Sequence, residues 1–344
     1  MRNLTALLAA TSLAFLPLSQ PGFATEPVAA SDVAPPMQVL EAPPELETPS
    51  GAEQDYQPNP AIWKLSDEDT TIYMFGTIHI LPPGFEWRSD RFNQIVSEVD
   101  ELVLETSDAD SEGDMSKLVP QMAVMMLTRK PTSKRLTPSN GKKWLKLGRM
   151  VGMAPAEFDR MPLVLSMMGI GLSMSMMEGS QRELGVETIL TAEFEEMGKP
   201  IGSIENSGDV MMALMNIDEN GVLEMLETEL TKWDGKSTDT LMLEPAPEEA
   251  DGPGDSETYA PFAMEHGWAK GEVGTDPMFD DSAFGMAMTK VLLEDRNRAW
   301  AEWLDKRLDT PGTMLLAVGA GHFEGEHSVL LMLEKRGLTA ERIN

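Results

Sequence analysis

The chain has 344 residues, 57 acidic against 27 basic side chains, a formal charge of -30 and no cysteine. Its length can bury a sizeable core and accommodate a large α/β domain. The charge argues against nucleic acid and anionic lipid surfaces as partners and predicts no basic stripe, and without disulfides the core must carry the stability.

At the start of the chain, Arg2 is followed by an apolar run through Leu16, a break at Pro17, and Gly22-Phe23-Ala24. This charged, apolar, small-residue order is that of a secretory signal peptide over residues 1–24, cleaved after Ala24. The run is too short for a membrane span, no later segment offers one, and no cysteine is present to carry a lipid. The expectation is an exported, periplasmic protein with no stable membrane span after signal removal. Residues 25–60 are rich in Pro, Ala, Glu and Asp, a composition that predicts a disordered linker.

A domain is expected from residue 61 to 344. Ile62-Trp63-Lys64-Leu65 and Thr70 to Gly76 read as paired strands around an acidic turn. A helix follows from about Ser89 to Val99, then a buried strand from Glu101 to Ser107 with a carboxylate near its end. A mostly helical stretch covers about Met115 to Met177. Gly185 to Gly198 reads as a glycine-stopped helix, Pro200 to Glu205 as a strand and Asp209 to Trp233 as a helix. Residues 234–284 turn acidic and rich in Pro and Gly, which predicts an elaborated loop. A helix from about Met286 to Leu308 carries Val291, Leu292, Trp300, Trp303 and Leu304 on roughly one face. The strand Met314 to Val318 and a helix from about Glu324 to Lys335 close the chain. Strands at both ends around a helical middle predict an α/β fold: a central mixed sheet with flanking helices and a helical insert.

Two of the chain's four histidines end the same pattern: Gly76-Thr-Ile-His79 and Gly319-Ala-Gly-His322, each just past a predicted strand. Chemistry gathers at strand ends in open α/β sheets, where loops expose side chains on a rigid base. Gly76, Gly319 and Gly321 permit tight turns and close approach. If the two strands are neighbours, His79 and His322 meet, and Glu105 at the end of the third strand joins them. Two neutral imidazoles and a carboxylate form a binding set for Zn, Mn, Co or Fe with room for water and substrate, and such a metal activates water as a nucleophile. The competing reading is that each histidine serves its own strand-end turn.

The segments IWKL, YMFGTIHILP, DELVLET, GVETIL, GKPIGSIE, EDRNRAW and VGAGHFEG resemble, in order and spacing, the TraB/PrgY/GumN family, related to the Tiki proteases. The resemblance spans residues 61–344. It implies a fold of the EreA/ChaN-like type and a metal-dependent peptide hydrolase, with His79, Glu105 and His322 as the active site holding Mn, Co or Zn. It also implies acidic side chains at Glu187 and Glu205, as partners of the ligands or as a general base. It places an Arg-Asn pair at Arg296 and Asn297, suited to clamp a peptide carboxylate or carbonyl. Read locally, Glu187 is a helix-start carboxylate, Glu205 a solvated strand end, and Arg296 a salt-bridge partner of the acidic loop. The expected partner is a peptide or polypeptide substrate. The alternative is a non-catalytic peptide-binding or polysaccharide-associated accessory protein using the same cleft.

The remaining histidines, His266 and His327, read as surface residues. The methionines Met167, Met168, Met174, Met176, Met177, Met211, Met212 and Met215 raise copper binding, but without a Met-x-x-Met run beside histidines they favour core or peptide-groove packing.

Overall fold

In the computed structural model, which describes residues 48–236, 261–274 and 279–344, Ile62–Ser66 (β1) and Thr70–Thr77 (β2) form an antiparallel hairpin. Asp67 closes its turn by accepting the backbone N–H groups of Asp69 and Thr70. The other strands are Glu101–Leu104 (β3), Ile201–Ser203 (β4), Gly312–Gly319 (β5) and Glu341–Arg342 (β6), in the order β4-β3-β5-β2-β1-β6. β4, β3, β5 and β2 run parallel, and β1 is antiparallel to both β2 and β6. The expected mixed sheet is therefore present, with the two motif-bearing strands adjacent.

Parallel strands covered on both faces read as continuous apolar runs, and β5 is buried from Met314 to Gly319. Its alternate residues feed two cores. Leu315 and Ala317 pack with Phe75, Phe92, Leu102, Leu190, Phe194 and Trp268 on one face. Met314, Leu316 and Val318 pack with Trp63, Met74, Val103, Trp300, Leu304 and Phe323 on the other. The first face is covered by α1 (Asp90–Glu98), capped by Ser89, and by α6 (Val186–Glu196). The second carries α11 (Asp295–Arg307) and α12 (Val329–Glu334).

The helical insert comprises α2 (Asp108–Thr128), α3 (Pro138–Met150), the single turn α4 (Pro155–Phe158) and α5 (Leu163–Met177). With α7 (Ser207–Met215), α8 (Asn220–Lys232) and α10 (Ala283–Met288) it encloses a third core. Met167, Met168, Met211 and Met215 are buried there, Met174 and Met212 partly so, while Met176 and Met177 are exposed.

Several boundaries differ from expectation, each for a physical reason. The helix expected over Asp209 to Trp233 breaks between α7 and α8, where buried Glu219 accepts from Arg129, from Arg135 and from the N–H of Leu163. Between α10 and α11 the chain widens into a π-helix, Thr289–Glu294. The last helix starts at Val329, capped by Ser328, so Glu324 to Ser328 form a loop. Within the expected acidic loop, α9 (Ala263–Ala269) packs on the sheet, and Trp268 Nε1 donates to the Gly76 carbonyl at 2.8 Å. Residues 48–60, expected as linker, also pack: Ala52 is buried and the Asn59 N–H donates to the Ala269 carbonyl. His266 is not a free surface residue. Its Nε2 donates to the Gly51 carbonyl and its Nδ1 accepts from Tyr56 Oη, which ties α9 to residues 51–56. The expected signal peptide, residues 25–47 of the linker, and residues 237–260 and 275–278 of the acidic loop lie outside the described residues. No helix among those described is long and apolar enough to cross a membrane.

Burial pushes the carboxyl of Glu265 on α9 up to about 7; its own backbone N–H pulls the other way and the Glu178 charge adds to the rise. The folded state thus holds a proton that the unfolded chain releases near 4.5, so this stabilisation is complete below that pH and is lost as pH rises through 7. Glu265→Gln is expected to match the parent near pH 4.5 and to exceed its stability at pH 8 by about 2–3 kcal/mol, read from urea melts at both pH values.

Candidate active site

The parallel register pairs Thr77 with Gly319, so the two GxxH turns leave the sheet side by side. A Cβ on Gly76 would lie 2.9 Å from Ala320 Cα, a distance that real Cβ atoms essentially never show. The first glycine of GTIH thus makes room for the turn of GAGH. Gly185 does the same for a third segment: its Cβ would fall 2.0 Å from the His79 carbonyl oxygen. Because it has none, the N-terminus of α6 docks on the first motif, where the Val186 N–H donates to the Ile78 carbonyl at 3.0 Å.

That docking brings Glu187, in the first turn of α6, to His79. The His79 Nδ1–H donates to Glu187 Oε1 at 2.6 Å, and the Thr77 hydroxyl donates to the same oxygen. Burial alone would pull the imidazole pKa down, but the charge and hydrogen bond of Glu187 outweigh it and hold the ring above its ordinary value. Glu105 adds to this rise and Arg296 opposes it. His79 Nε2 and Glu187 Oε2 are buried without a hydrogen-bond partner among the described residues.

His322 is held in the same way by a neutral group. Asn297 Nδ2 donates to the His327 carbonyl at 2.7 Å, which turns Oδ1 toward the ring, where it accepts from His322 Nδ1 at 2.6 Å. The Trp300 ring lies against the imidazole with centroids 4.1 Å apart. His322 is fully buried, and its Nε2 lies 3.7 Å from Glu105 Oε1.

Glu105 is fixed at the end of β3 by two donors: the Gly319 N–H to Oε1 at 2.8 Å and Arg296 Nη2 to Oε2 at 2.5 Å. The same guanidinium grips Glu205 past β4, Nη2 to Oε1 at 2.6 Å and Nε to Oε2 at 2.9 Å, and Trp300 Nε1 donates to Glu205 Oε2. Arg296 Nη1 reaches the Leu292 carbonyl in the π-helix at 3.3 Å. Burial works against the charge on Arg296, but its two carboxylates more than offset it and raise its pKa. For Glu205, burial outweighs Arg296 and raises the carboxyl above its ordinary value.

These contacts correct two local expectations and one that the resemblance implied. Glu205 is an ion-paired, largely buried group rather than a solvated strand end. Arg296 faces the two strand-end carboxylates rather than the acidic loop. Its neighbour Asn297 is spent on orienting His322, so the pair is no open clamp for a peptide. His327 contributes its backbone carbonyl to that orientation. Thr77 and Trp300 were not singled out from sequence as site residues, although both lie inside or beside the motifs.

The TraB/PrgY/gumN family profile matches residues 61–342, nearly all of the chain beyond the expected linker. The chain belongs to this family. No curated protein and no solved structure matches it.

A metal has to fit the groups this TraB/PrgY/gumN protein offers. Among the described residues, no three His, Asp or Glu side chains already stand as a closed ligand group. The donor chemistry nevertheless suits a cation. Both imidazoles commit Nδ1–H to an oxygen acceptor, the arrangement seen in metal-ligating histidines, which bind through Nε2. Nε2 of His79 is buried without a hydrogen-bond partner among the described residues. Nε2 of His322 lies 3.7 Å from a carboxylate oxygen of Glu105.

Truncating Arg296 would leave Glu105 and Glu205 buried, adjacent and uncompensated. Arg296→Met is expected to cost about 3–5 kcal/mol at pH 7 in chemical denaturation, with part of that cost removed in the Arg296→Met/Glu205→Gln double variant.

Proposed function

We propose that this chain is an exported metal-dependent hydrolase of peptide bonds, with the metal held by His79 Nε2, His322 Nε2 and Glu105 Oε1. The observation that carries the reading is the paired orientation of the two imidazoles. Each is locked through Nδ1, one by Glu187 and one by Asn297, on adjacent parallel strands beside a strand-end carboxylate. Bound Mn, Co or Zn would supply a Lewis acid that lowers the pKa of water and polarises a carbonyl.

The protein's own groups do the rest. Arg296 aims Glu105 by binding one of its carboxylate oxygens. Asn297 keeps the proton of His322 on Nδ1. Glu187 does the same for His79 and holds its second oxygen, Oε2, ready to take a proton from attacking water and return it to the departing amine. His79 and Glu187 keep 13% and 14% of their side chains exposed, against 0% and 1% for His322 and Glu105. Substrate therefore approaches from the α6 side, and the Trp300 side stays dry. A dry wall strengthens every electrostatic contact behind it.

Metal-loaded protein is expected to retain about one equivalent of Mn, Co or Zn, a retention abolished in His79→Ala. In a peptide-library cleavage assay, Glu105→Gln should lose about a thousandfold or more in kcat, and Asn297→Leu and Glu187→Gln about 10–100-fold. Peptide binding without cleavage, unchanged in Glu105→Gln, would show instead a protein that sequesters peptides.

A further inference from the structure

The loop from Glu324 to Ser328 serves two places at once. Through its backbone, the His327 carbonyl accepts from Asn297 Nδ2 at 2.7 Å and so takes part in turning His322. Through its side chains, Glu326 and His327 line a cleft of about 430 Å³ beside α11 and α12. None of the candidate active-site residues lines this cleft.

Two cross-links fix how the helices lie. Asn297, near the start of α11, meets His327 just before α12. Further along α11, Asp305 accepts from Arg336 just past α12, from Nη2 at 2.6 Å and from Nε at 3.1 Å. The two helices therefore run in the same direction, and the groove between the cross-links extends over about 12 Å at 1.5 Å per residue. Ala301, midway between Asn297 and Asp305, and Met332 on α12 are both buried and give the groove an apolar floor.

The charges along this groove are not equally engaged. At the end where the helices begin, Arg298 pairs with Glu294 at 2.5 Å and with Asp295 at 3.2 Å. That leaves Glu326, whose only ion-pair partner among the described residues is His327 Nε2, at 3.6 Å. At the other end Arg336 pairs with Asp305. That leaves Lys335, which makes no salt bridge among the described residues and whose ammonium touches only the Met332 sulfur, at 3.8 Å. Each end thus keeps one charge without a strong partner, acidic at one end and basic at the other, with apolar surface between them.

We infer that this groove is a second binding site, for a short peptide with free termini, and that its occupancy is felt at His322. The ligand's ammonium meets Glu326, its carboxylate meets Lys335, and an aliphatic side chain covers Ala301 and Met332. Three extended residues span about 10 Å, which matches the groove. An inorganic anion would use one end and leave the floor wet, and an apolar ligand would leave both charges unmet. Exposed ion pairs are weak singly, so it is the two ends together with the floor that select a zwitterion. The route to the candidate active site is short. A ligand that draws on Glu326 and His327 shifts the carbonyl that positions Asn297, and Asn297 accepts the Nδ1 proton of His322. The inference does not rest on the hydrolase reading, although short peptides with free termini are what such a reaction releases.

The test is titration of the purified protein with alanyl-leucyl-alanine, read by calorimetry and by nitrogen-15 NMR of the histidine side chains, in the parent and in His79→Ala. The expected result is saturable binding in both, with movement of the His322 resonances. The same peptide acetylated and amidated should bind at least about tenfold more weakly, as should the free peptide to Glu326→Ala/Lys335→Ala. The control Arg91→Ala should change affinity less than about twofold. No saturable binding would overturn the inference, as would equal binding of the capped peptide, equal loss in the control, or binding that leaves the His322 resonances in place. Binding to the parent that is lost in His79→Ala would overturn it in favour of the candidate active site.

Discussion

Two carboxylates at the ends of adjacent parallel strands cannot share a dry site without a cation between them, and Arg296 is that cation. β3 and β4 pair in parallel up to Leu104 and Ser203, and just past their ends Glu105 and Glu205 bind the same guanidinium. Repulsion between buried like charges would prevent both from ionising. The guanidinium, planar and permanently charged, bonds to both at once. Its helix also fixes the rest of the site. Asn297 is the next residue and Trp300 lies one turn further, so one face of α11 pairs the carboxylates, turns His322 and walls it off. The preceding π-helix supplies the Leu292 carbonyl that receives the remaining arm of Arg296. Widened helical turns of this kind are often found at functional sites.

The two histidine halves are similar in geometry but unequal in electrostatics. Glu187 gives His79 a full negative charge at the start of α6, a favourable place for an anion, and the imidazole gains basicity. Asn297 gives His322 only an amide dipole, in a setting with no exposure. In the proposed metal site, protonation of His79 would compete with the cation for the same nitrogen. The half of His79 is the more exposed, and the half of His322 is held by the sheet and the wall of Trp300.

Much of this was legible in the residues. The repeated GxxH was informative because histidine is scarce here, and strand-end placement followed from the apolar runs before each motif. Glu105 stood out as a carboxylate at the end of an apolar strand. What one sequence could not show was pairing over distance. Glu205 and Arg296 are 91 positions apart, and the acidic loop, nearer to Arg296 in the chain, offered it a plausible but incorrect partner. Glu187 was recognisable as a helix start, but its bond to His79 depends on Gly185 admitting the His79 carbonyl, a close approach that sequence does not display. Trp300 was placed correctly on the apolar face of its helix, and its indole N–H is what makes it part of the site. The helix break at Glu219 was hidden because a buried carboxylate with two arginines looks, in sequence, like any surface acid. Averaging had the largest effect on charge, where a strongly acidic total masked a 22-residue segment without a single acid.

The proposed metal site requires His79 and His322 to present Nε2 toward one shared point. With four histidines in the chain, nitrogen-15 NMR of the imidazole side chains reads this directly. In solution alkaline enough to leave the rings neutral, both should appear as Nδ1–H tautomers. On addition of about one equivalent of Zn, both Nε2 resonances should move together. An Nε2–H tautomer at either residue, or a cation that shifts one ring and leaves the other untouched, would contradict it.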